Sequence, residues 1–78
     1  MDKNVKIYST PTCPRCIRTK QFLKENNVTF EDIDVSNNQS AAEEMIQKSS
    51  QMAVPVLDID GEVIVGFDRE RIKTVLGL

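Results

Sequence analysis

The sequence lacks histidine and tryptophan, and its 78 residues contain only two cysteines. Without histidine, a zinc site would have to combine the two thiols with carboxylates, which is an uncommon donor set for zinc in proteins. No apolar run is long enough to cross a bilayer, and residues 1–5 lack the apolar stretch of a signal peptide. We therefore expect no metal, no membrane segment and a cytoplasmic location.

Blocks of like charge are also absent. Ten basic and twelve acidic residues give a formal net charge of −2 and are spread along the chain, so the electrostatic footprint of a nucleic-acid-binding protein is missing. The hydrophobic content of 40% and the charged content of 28% are typical of a folded domain. We expect one domain over residues 1–78, with small thiols or other proteins as its partners.

The two cysteines stand close together, in the tetrapeptide Cys13-Pro14-Arg15-Cys16. Two thiols at this spacing can form and open a disulfide with little movement of the backbone. A purely structural role is disfavoured, because closing a loop of about four residues removes only roughly 2 kcal/mol of unfolded-chain entropy. Such a pair beside a strand-helix-strand pattern is typical of a thioredoxin-like redox site. We therefore predict that Cys13 and Cys16 carry out redox chemistry.

Four segments are predicted as strands. Residues 5–8 and 28–35 are rich in β-branched and other apolar side chains, and residues 54–59 and 62–65 flank Asp60-Gly61, a strong two-residue hairpin signal. The hairpin must be antiparallel, whereas a strand, a helix and a strand in succession predict a parallel pair with a right-handed crossover. The predicted element order is β-α-β-α-β-β-α, an α/β fold.

The first and third predicted helices have clear ends. The first begins at Cys13 as its N-cap, with Pro14 in the first helical position, and runs to about Asn26. The third begins at Asp68 and ends at Gly77. The residues of the first helix that we predict to face the core are Cys16, Ile17, Phe22 and Leu23.

The second helix has two candidate starts. Ser40 and Glu43 have the spacing of a capping box, and Ser36 with Gln39 offers the same pattern one turn earlier. The pattern favours the start at Ser40. The predicted inner face of this helix consists of Ala42, Met45, Ile46 and Ser49.

The position of Cys13 predicts its chemistry. At a helix N-terminus its sulfur faces unsatisfied N–H groups and the positive end of the helix dipole, and the cation of Arg15 adds to this field. These groups favour the thiolate, which is the reactive form of cysteine. The same stabilisation makes the sulfur a better leaving group, so mixed disulfides at Cys13 should be released quickly. Cys16, one turn inside the helix, should be more buried and less ionised.

Pro55 follows Val54 at the start of the third predicted strand. A proline in this place is either an edge-strand residue after an ordinary trans bond or the second residue of a cis bond. The cis form accounts for only about 5 to 6% of such bonds in folded proteins. The local pattern leaves both alternatives open.

Three motifs together resemble a small bacterial glutaredoxin, and the resemblance covers essentially the whole chain. They are residues 13–16 after a strand, Val54-Pro55 before the hairpin, and Gly66-Phe67-Asp68 at the last helix. The resemblance implies a thioredoxin fold with a four-stranded mixed sheet in the order 2-1-3-4 and helices on both faces. It also implies that Pro55 is cis and lies opposite Cys13.

The resemblance further implies how the site works. The first cysteine is the nucleophile, the second resolves a mixed disulfide, and glutathione is the cosubstrate that returns the electrons, with no tightly bound cofactor. Pro14, Arg15 and Pro55 support the cysteine pair, and the main chain of Val54 pairs with glutathione as a short strand would. The glutathione-binding residues implied by the resemblance are Cys13, Gln51, Val54, Pro55, Gly66, Phe67, Asp68 and Arg69.

The sequence also departs from the glutaredoxin pattern. Thr10 stands where many glutaredoxins have a lysine, Arg69 replaces the second residue of an acidic pair, and Arg15 replaces a frequent tyrosine. These departures resemble glutaredoxin-like electron donors that are reduced by thioredoxin reductase, some of which serve ribonucleotide reductase. Three functions stay open at this point: a glutathione-linked oxidoreductase of protein disulfides, a donor reduced by thioredoxin reductase, and a module that binds an iron–sulfur cluster through Cys13 and external glutathione.

Overall fold

Four strands form one mixed sheet in the computed structural model, which describes residues 4–78. The strand order is β2-β1-β3-β4; β1 and β2 are parallel, and the other neighbouring pairs are antiparallel. The predicted element order and sheet topology are therefore confirmed. The strands are β1 (Val5–Ser9), β2 (Glu31–Asp34), β3 (Val56–Ile59) and β4 (Glu62–Val65), and the helices are α1 (Pro14–Glu25), α2 (Gln39–Ser49) and α3 (Arg69–Leu76).

Strand β1 lies between β2 and β3 and separates two apolar clusters. Because successive side chains of a strand point to opposite faces, Ile7 and Tyr8 of β1 belong to different clusters. Ile7 packs in the larger cluster with residues of α1 and α3, whereas Tyr8 packs with Met45 of α2 and Val56. The helices therefore cover both faces of the sheet, as predicted.

The helix ends agree with the predicted caps of α1 and α3. The backbone of Cys13 is extended, and Pro14 opens α1. At α3, the Asp68 carboxylate accepts a hydrogen bond from the N–H of Arg71 at 3.2 Å, and Gly77 ends the helix in the left-handed region at φ +73°. Local cap chemistry thus sets these boundaries, and it places Cys13 at the head of α1.

Two predicted strands are too long. The second was predicted over residues 28–35, but β2 is limited to Glu31–Asp34, because the N–H of Val28 donates to the carbonyl of Leu23 at 2.9 Å and keeps this segment at the end of α1. The third was predicted over residues 54–59, but β3 begins at Val56. Pro55 has no N–H to contribute to the ladder.

Helix α2 begins at Gln39, close to the predicted start near Ser40, but neither Ser40 nor the alternative Ser36 is its N-cap. The N-cap is Asn38, whose side-chain oxygen accepts from the N–H of Ala41 at 3.1 Å. Ser36 instead donates its N–H and hydroxyl to Asp34, which forms a turn after β2.

The predicted inner faces of α1 and α2 also need correction. Ala41 and Met45 are the buried residues of α2, whereas Ile46 is 36% exposed. In α1, Ile17 is 50% exposed and Thr19 is buried in its place. Thr19 can be buried because its hydroxyl donates to the carbonyl of Arg15 at 2.8 Å.

Candidate active site

The two cysteines lie at the start of α1 with both thiols free. Cys13 is half-buried, and its sulfur accepts a hydrogen bond from the N–H of Cys16 at a distance of 3.2 Å. This N–H is one of the helix donors that have no partner inside the helix. The contact therefore offers stabilisation to negative charge on the Cys13 sulfur. Pro14 and Arg15, between the cysteines, are exposed.

Cys16 occupies a very different environment from Cys13. It is fully buried, with an exposure of 0%. Burial raises the pKa of Cys16 to about 11, and its hydrogen bond with Cys13 acts in the same direction, whereas a hydrogen bond with the main chain of Thr10 lowers it. Cys16 is therefore protonated at neutral pH. The structure agrees with the predicted contrast between an accessible first thiol and a buried second one.

The loop before β3 forms a second part of the site. The peptide bond between Val54 and Pro55 is cis, in agreement with the resemblance to glutaredoxins. Pro55 is buried, and its carbonyl accepts a hydrogen bond from the N–H of Gly66 at 2.7 Å. Gly66 has a positive φ of +81°, which disfavours a residue with a side chain. Three of the predicted glutathione-binding residues, Val54, Pro55 and Gly66, are thus brought together.

Phe67 and Arg69 contact α1 through one side chain, Phe22. The ring centroids of Phe22 and Phe67 are 5.9 Å apart and tilted by 60°, and the guanidinium carbon of Arg69 is 5.6 Å from the centroid of Phe22. Sequence reasoning treated Phe22 only as a core residue. These side chains border a cavity of about 230 Å³ between α1 and the start of α3, which is lined by Arg18, Gln21, Phe22, Glu25, Phe67 and Arg69.

Asp68 and Gln51 both use polar groups in hydrogen bonds within the chain. The Asp68 carboxylate is exposed but caps its own helix, so part of its hydrogen-bonding capacity is used. Gln51 is exposed, and both of its main-chain groups bond to the hydroxyl of Ser49. It lies three residues before Val54 and does not line the cavity between α1 and the start of α3.

An apolar cavity of about 260 Å³ lies beside the loop that precedes Pro55, and sequence reasoning missed it. Met52, at its edge, is 84% exposed. No hydrogen bond joins the main chain of Met52, Ala53 or Val54 to any other residue in the range 4–78. This segment can therefore pair with an incoming extended chain. The cavity is lined by Thr10, Val35, Ser36, Ala42, Met45, Met52, Ala53 and Val54.

A polar cluster behind the cysteine pair was also missed. The ammonium group of Lys20 is 2.8 Å from one carboxylate oxygen of Asp32, and the hydroxyl of Ser9 donates to the other at 2.9 Å. Ser9 is almost fully buried, with an exposure of 1%. The available sequence signal was the spacing of four residues between Cys16 and Lys20, which puts both on one face of α1.

Neither a metal-binding cluster nor a membrane-spanning helix is present within residues 4–78. Residues 4–78 contain no group of three or more histidine, cysteine or acidic side chains arranged to hold a metal ion. None of the helices in this range is both long and apolar enough to cross a membrane.

Two curated relatives are similar to most of the chain. One is an uncharacterised glutaredoxin-like 8.6 kDa protein in the rubredoxin operon of Clostridium pasteurianum, which is 47% identical over 72 residues covering 92% of this chain and 96% of the relative. The other is glutaredoxin 3 of Escherichia coli K12, which is 40% identical over 65 residues covering 83% of this chain and 78% of the relative.

Solved structures and a family model agree with these relatives. The crystal structure of the thioredoxin-like protein BC3987 has a TM-score of 0.88 at 36% identity, with 94% of this chain and 100% of the other covered. The glutaredoxin-like NrdH-redoxin from Escherichia coli has a TM-score of 0.83 at 25% identity, with 91% of this chain and 92% of the other covered. The glutaredoxin family model matches residues 5–64. The chain belongs to the glutaredoxin family and has the thioredoxin fold.

Proposed function

We propose that the protein is a thiol–disulfide oxidoreductase that uses glutathione to reduce protein disulfides and glutathione mixed disulfides. The observation that carries this proposal is the contrast between the two thiols. The Cys13 sulfur is accessible and accepts a helix N–H at 3.2 Å, whereas Cys16 is buried and protonated one turn behind it. Such a pair supplies one nucleophile and one resolving thiol. Reversible thiols of this kind suit the cytoplasm, which we propose as the location.

The proposed reduction of a protein disulfide begins with two exchange steps. The Cys13 thiolate attacks one sulfur of the substrate disulfide, and the other sulfur leaves with the electron pair and takes up a proton. Cys16 then loses its proton and attacks the Cys13 sulfur, which closes the Cys13–Cys16 disulfide and releases the remaining half of the substrate as a thiol. Two glutathione thiols subsequently reduce this disulfide and become oxidised glutathione.

Glutathione binding is supported by the loop before β3 and the start of α3. The unpaired main chain of Val54 offers hydrogen bonds to a tripeptide, and Gly66 is tied to the same loop through Pro55. The guanidinium of Arg69 forms no ion pair within residues 4–78, so it is available for a carboxylate of the ligand. The contact of this guanidinium with the Phe22 ring favours the observed position of the side chain.

A second candidate function is that of an electron donor reduced by thioredoxin reductase. The apolar cavity favours it. Its lining includes Thr10 and no cationic side chain, and Met52 presents an exposed apolar side chain at its edge. A protein partner can cover such a surface, whereas glutathione has little apolar area to bury there. The similarity to the NrdH-redoxin, whose structure is described as the basis of a thioredoxin-like activity profile, supports the same candidate. Ribonucleotide reductase is then one disulfide protein to test as its target.

The deciding experiment measures NADPH oxidation with a small disulfide substrate under two electron sources. One reaction contains glutathione and glutathione reductase, and the other contains thioredoxin reductase alone. Turnover with glutathione supports the main proposal, and turnover only with thioredoxin reductase supports the second candidate. Absence of turnover with both electron sources would contradict both functions.

One variant sharpens this test. Thr10→Lys adds a cation beside the loop at Val54, so it should lower the KM for a glutathione mixed disulfide severalfold if glutathione binds there, through a charge-assisted contact with a ligand carboxylate. Thr29→Lys is the matched control, because Thr29 is exposed at the other end of the sheet, ahead of β2. Equal KM values for the two variants would argue against glutathione as the bound reductant.

A further inference from the structure

Lys20 lies on the same face of α1 as the buried thiol of Cys16. Residues four apart in a helix have Cβ atoms about 5–6 Å from each other. The side chain of Lys20 is only 21% exposed, although lysine side chains usually extend into water. A cation is thus retained next to the buried thiol of the active-site pair.

Two residues of the sheet hold Lys20 in this position. The Asp32 carboxylate, on β2, is 2.8 Å from the Lys20 ammonium group. The hydroxyl of Ser9, at the end of β1, donates to the second oxygen of the same carboxylate at 2.9 Å. Because Ser9 is almost fully buried, it orients Asp32 from the protein interior. The chain Ser9–Asp32–Lys20 therefore connects β1 and β2 to α1.

The charged and titratable groups that act on Cys16 belong to α1, its N-cap and β2. The thiol of Cys13 and the ammonium of Lys20 act from α1, and Asp32 acts from β2 through its contact with Lys20. Burial and Cys13 raise the pKa of Cys16, whereas the main chain of Thr10 and the charge of Lys20 lower it. The positive charge of Lys20 thus counteracts the effect of burial on the pKa of Cys16.

We propose that Lys20, held by Asp32, stabilises the thiolate that Cys16 forms when it attacks the mixed disulfide at Cys13. In this step Cys16 gives up its proton, a bond forms between the two cysteine sulfurs, and the substrate sulfur leaves with the electron pair and takes up a proton. Lys20 is then a positioning residue for resolution and does not bond to the substrate. The inference rests on the proposed thiol–disulfide exchange function.

The first test measures the Cys16 thiol without any enzymatic reaction. All proteins in this test carry Cys13→Ser. The ultraviolet absorbance of the thiolate is followed against pH for the protein that keeps Lys20 and for the variants Lys20→Met and Lys20→Arg. Lys20→Met keeps most of the aliphatic stem and should raise the pKa of Cys16 by about 0.5 to 1 unit, because the stabilising charge is lost. Lys20→Arg should restore most of the shift.

Two further variants make this test specific. Lys24→Met is the matched control, because Lys24 is exposed one turn further along α1 and forms no ion pair within the described residues. It should leave the thiol titration of Cys16 unchanged. Lys20→Gln gives a second neutral side chain, so the test survives if Lys20→Met does not fold.

The second test measures resolution in the protein with both cysteines. A preformed mixed disulfide at Cys13 is allowed to release its thiol, and the rate is followed against pH. A higher pKa reduces the thiolate fraction of Cys16 but increases its nucleophilicity with a Brønsted slope of about 0.4 to 0.5, so Lys20→Met should slow release about two- to fourfold. The pH profile should move to higher pH.

The outcomes separate this inference from the proposed function. If exchange activity is present but Lys20→Met, Lys20→Gln and Lys24→Met titrate alike, the role of Lys20 is wrong and the function stands. If the protein has no exchange activity but Lys20→Met still raises the pKa of Cys16, the electrostatic contact is real and the proposed function is wrong.

Discussion

At the scale of single residues, Cys13 and Cys16 differ sharply although only two residues separate them. The extended backbone of Cys13 places its sulfur at the helix N-terminus, where it accepts a main-chain N–H. Cys16 is inside the helix and has no exposed surface, and its pKa is raised mainly by burial. The difference in accessibility therefore follows from one turn of helix and assigns the two thiols different roles.

Serine variants of the two cysteines should separate these roles. Cys13→Ser should reduce all exchange to the uncatalysed rate, because the accessible nucleophile is lost. Cys16→Ser should retain reduction of glutathione mixed disulfides and lose reduction of protein disulfides that need intramolecular resolution. Both activities are measured with coupled NADPH oxidation. Exchange retained by the Cys13 variant would contradict the mechanism.

Residue-scale prediction from the sequence worked where the cause is local. The N-cap roles of Cys13 and Asp68 depend on residues within one turn, so the pattern indicated both. The Lys20–Asp32 ion pair joins α1 to β2 and depends on how the helix is rotated on the sheet. No local pattern contains that rotation, so the pair could be found only in the structure.

At the scale of secondary-structure elements, the distinction between local and long-range causes explains which predicted boundaries were correct. The hairpin at Asp60-Gly61 was predicted because its two-residue turn is a local signal, and β3 and β4 pair around it. The N-cap of α2 was predicted wrongly because several residues with capping side chains lie near its start, and their local patterns compete. Asn38 is the one used, and Ser36 forms a turn with Asp34 instead.

Helix α2 is attached to the sheet by a polar network as well as by a small apolar cluster. Lys48 forms an ion pair with Asp58 of β3 and donates to the hydroxyl of Tyr8 at 3.0 Å. The Tyr8 hydroxyl in turn donates to Glu44 at 2.6 Å, and its ring packs with Met45. Lys48 thus joins one helix to two strands.

Replacing the central cation of this network should destabilise the protein. Lys48→Met keeps the aliphatic stem but leaves the carboxylate of Asp58, whose side chain is 14% exposed, without its cation. We expect a loss of about 1–3 kcal/mol in the free energy of unfolding, measured by urea titration. Lys24→Met, an exposed helix substitution, should change it by less than about 0.5 kcal/mol. Equal midpoints for the two variants would contradict the role of the network.

At the scale of the whole molecule, the titrating groups predict how stability depends on pH. Burial opposes ionisation of Asp58, but hydrogen bonds from Lys48 and from the main chain of Gly61 leave its pKa below the usual range. Hydrogen bonds from Tyr8 and Lys48 likewise lower the pKa of Glu44. A carboxylate with a lowered pKa contributes stability above its unfolded value of about 4, and this contribution is lost as the pH falls further.

At alkaline pH, the dependence of stability on pH has the opposite sign and comes from different groups. Burial raises the pKa of Cys16 to about 11 from an ordinary value of 9.0, so the folded state holds this proton more tightly than the unfolded state. The hydrogen bond to Asp58, followed by that to Tyr8, raises the pKa of Lys48. Their contributions are fully present below the unfolded pKa values and decline as the pH rises through the folded ones.

The reduced protein should therefore show a plateau of stability between about pH 5 and pH 9, with losses on both sides. The plateau is measured by urea unfolding with a phosphine reductant present at every pH. Lys48→Met should weaken the acid-side loss, because the pKa of Asp58 then moves back towards its ordinary value. Cys16→Ser should remove roughly 3 kcal/mol of the loss that begins near pH 9, since serine does not titrate there. If Cys16→Ser keeps the full alkaline loss, burial of the Cys16 thiol is not its cause.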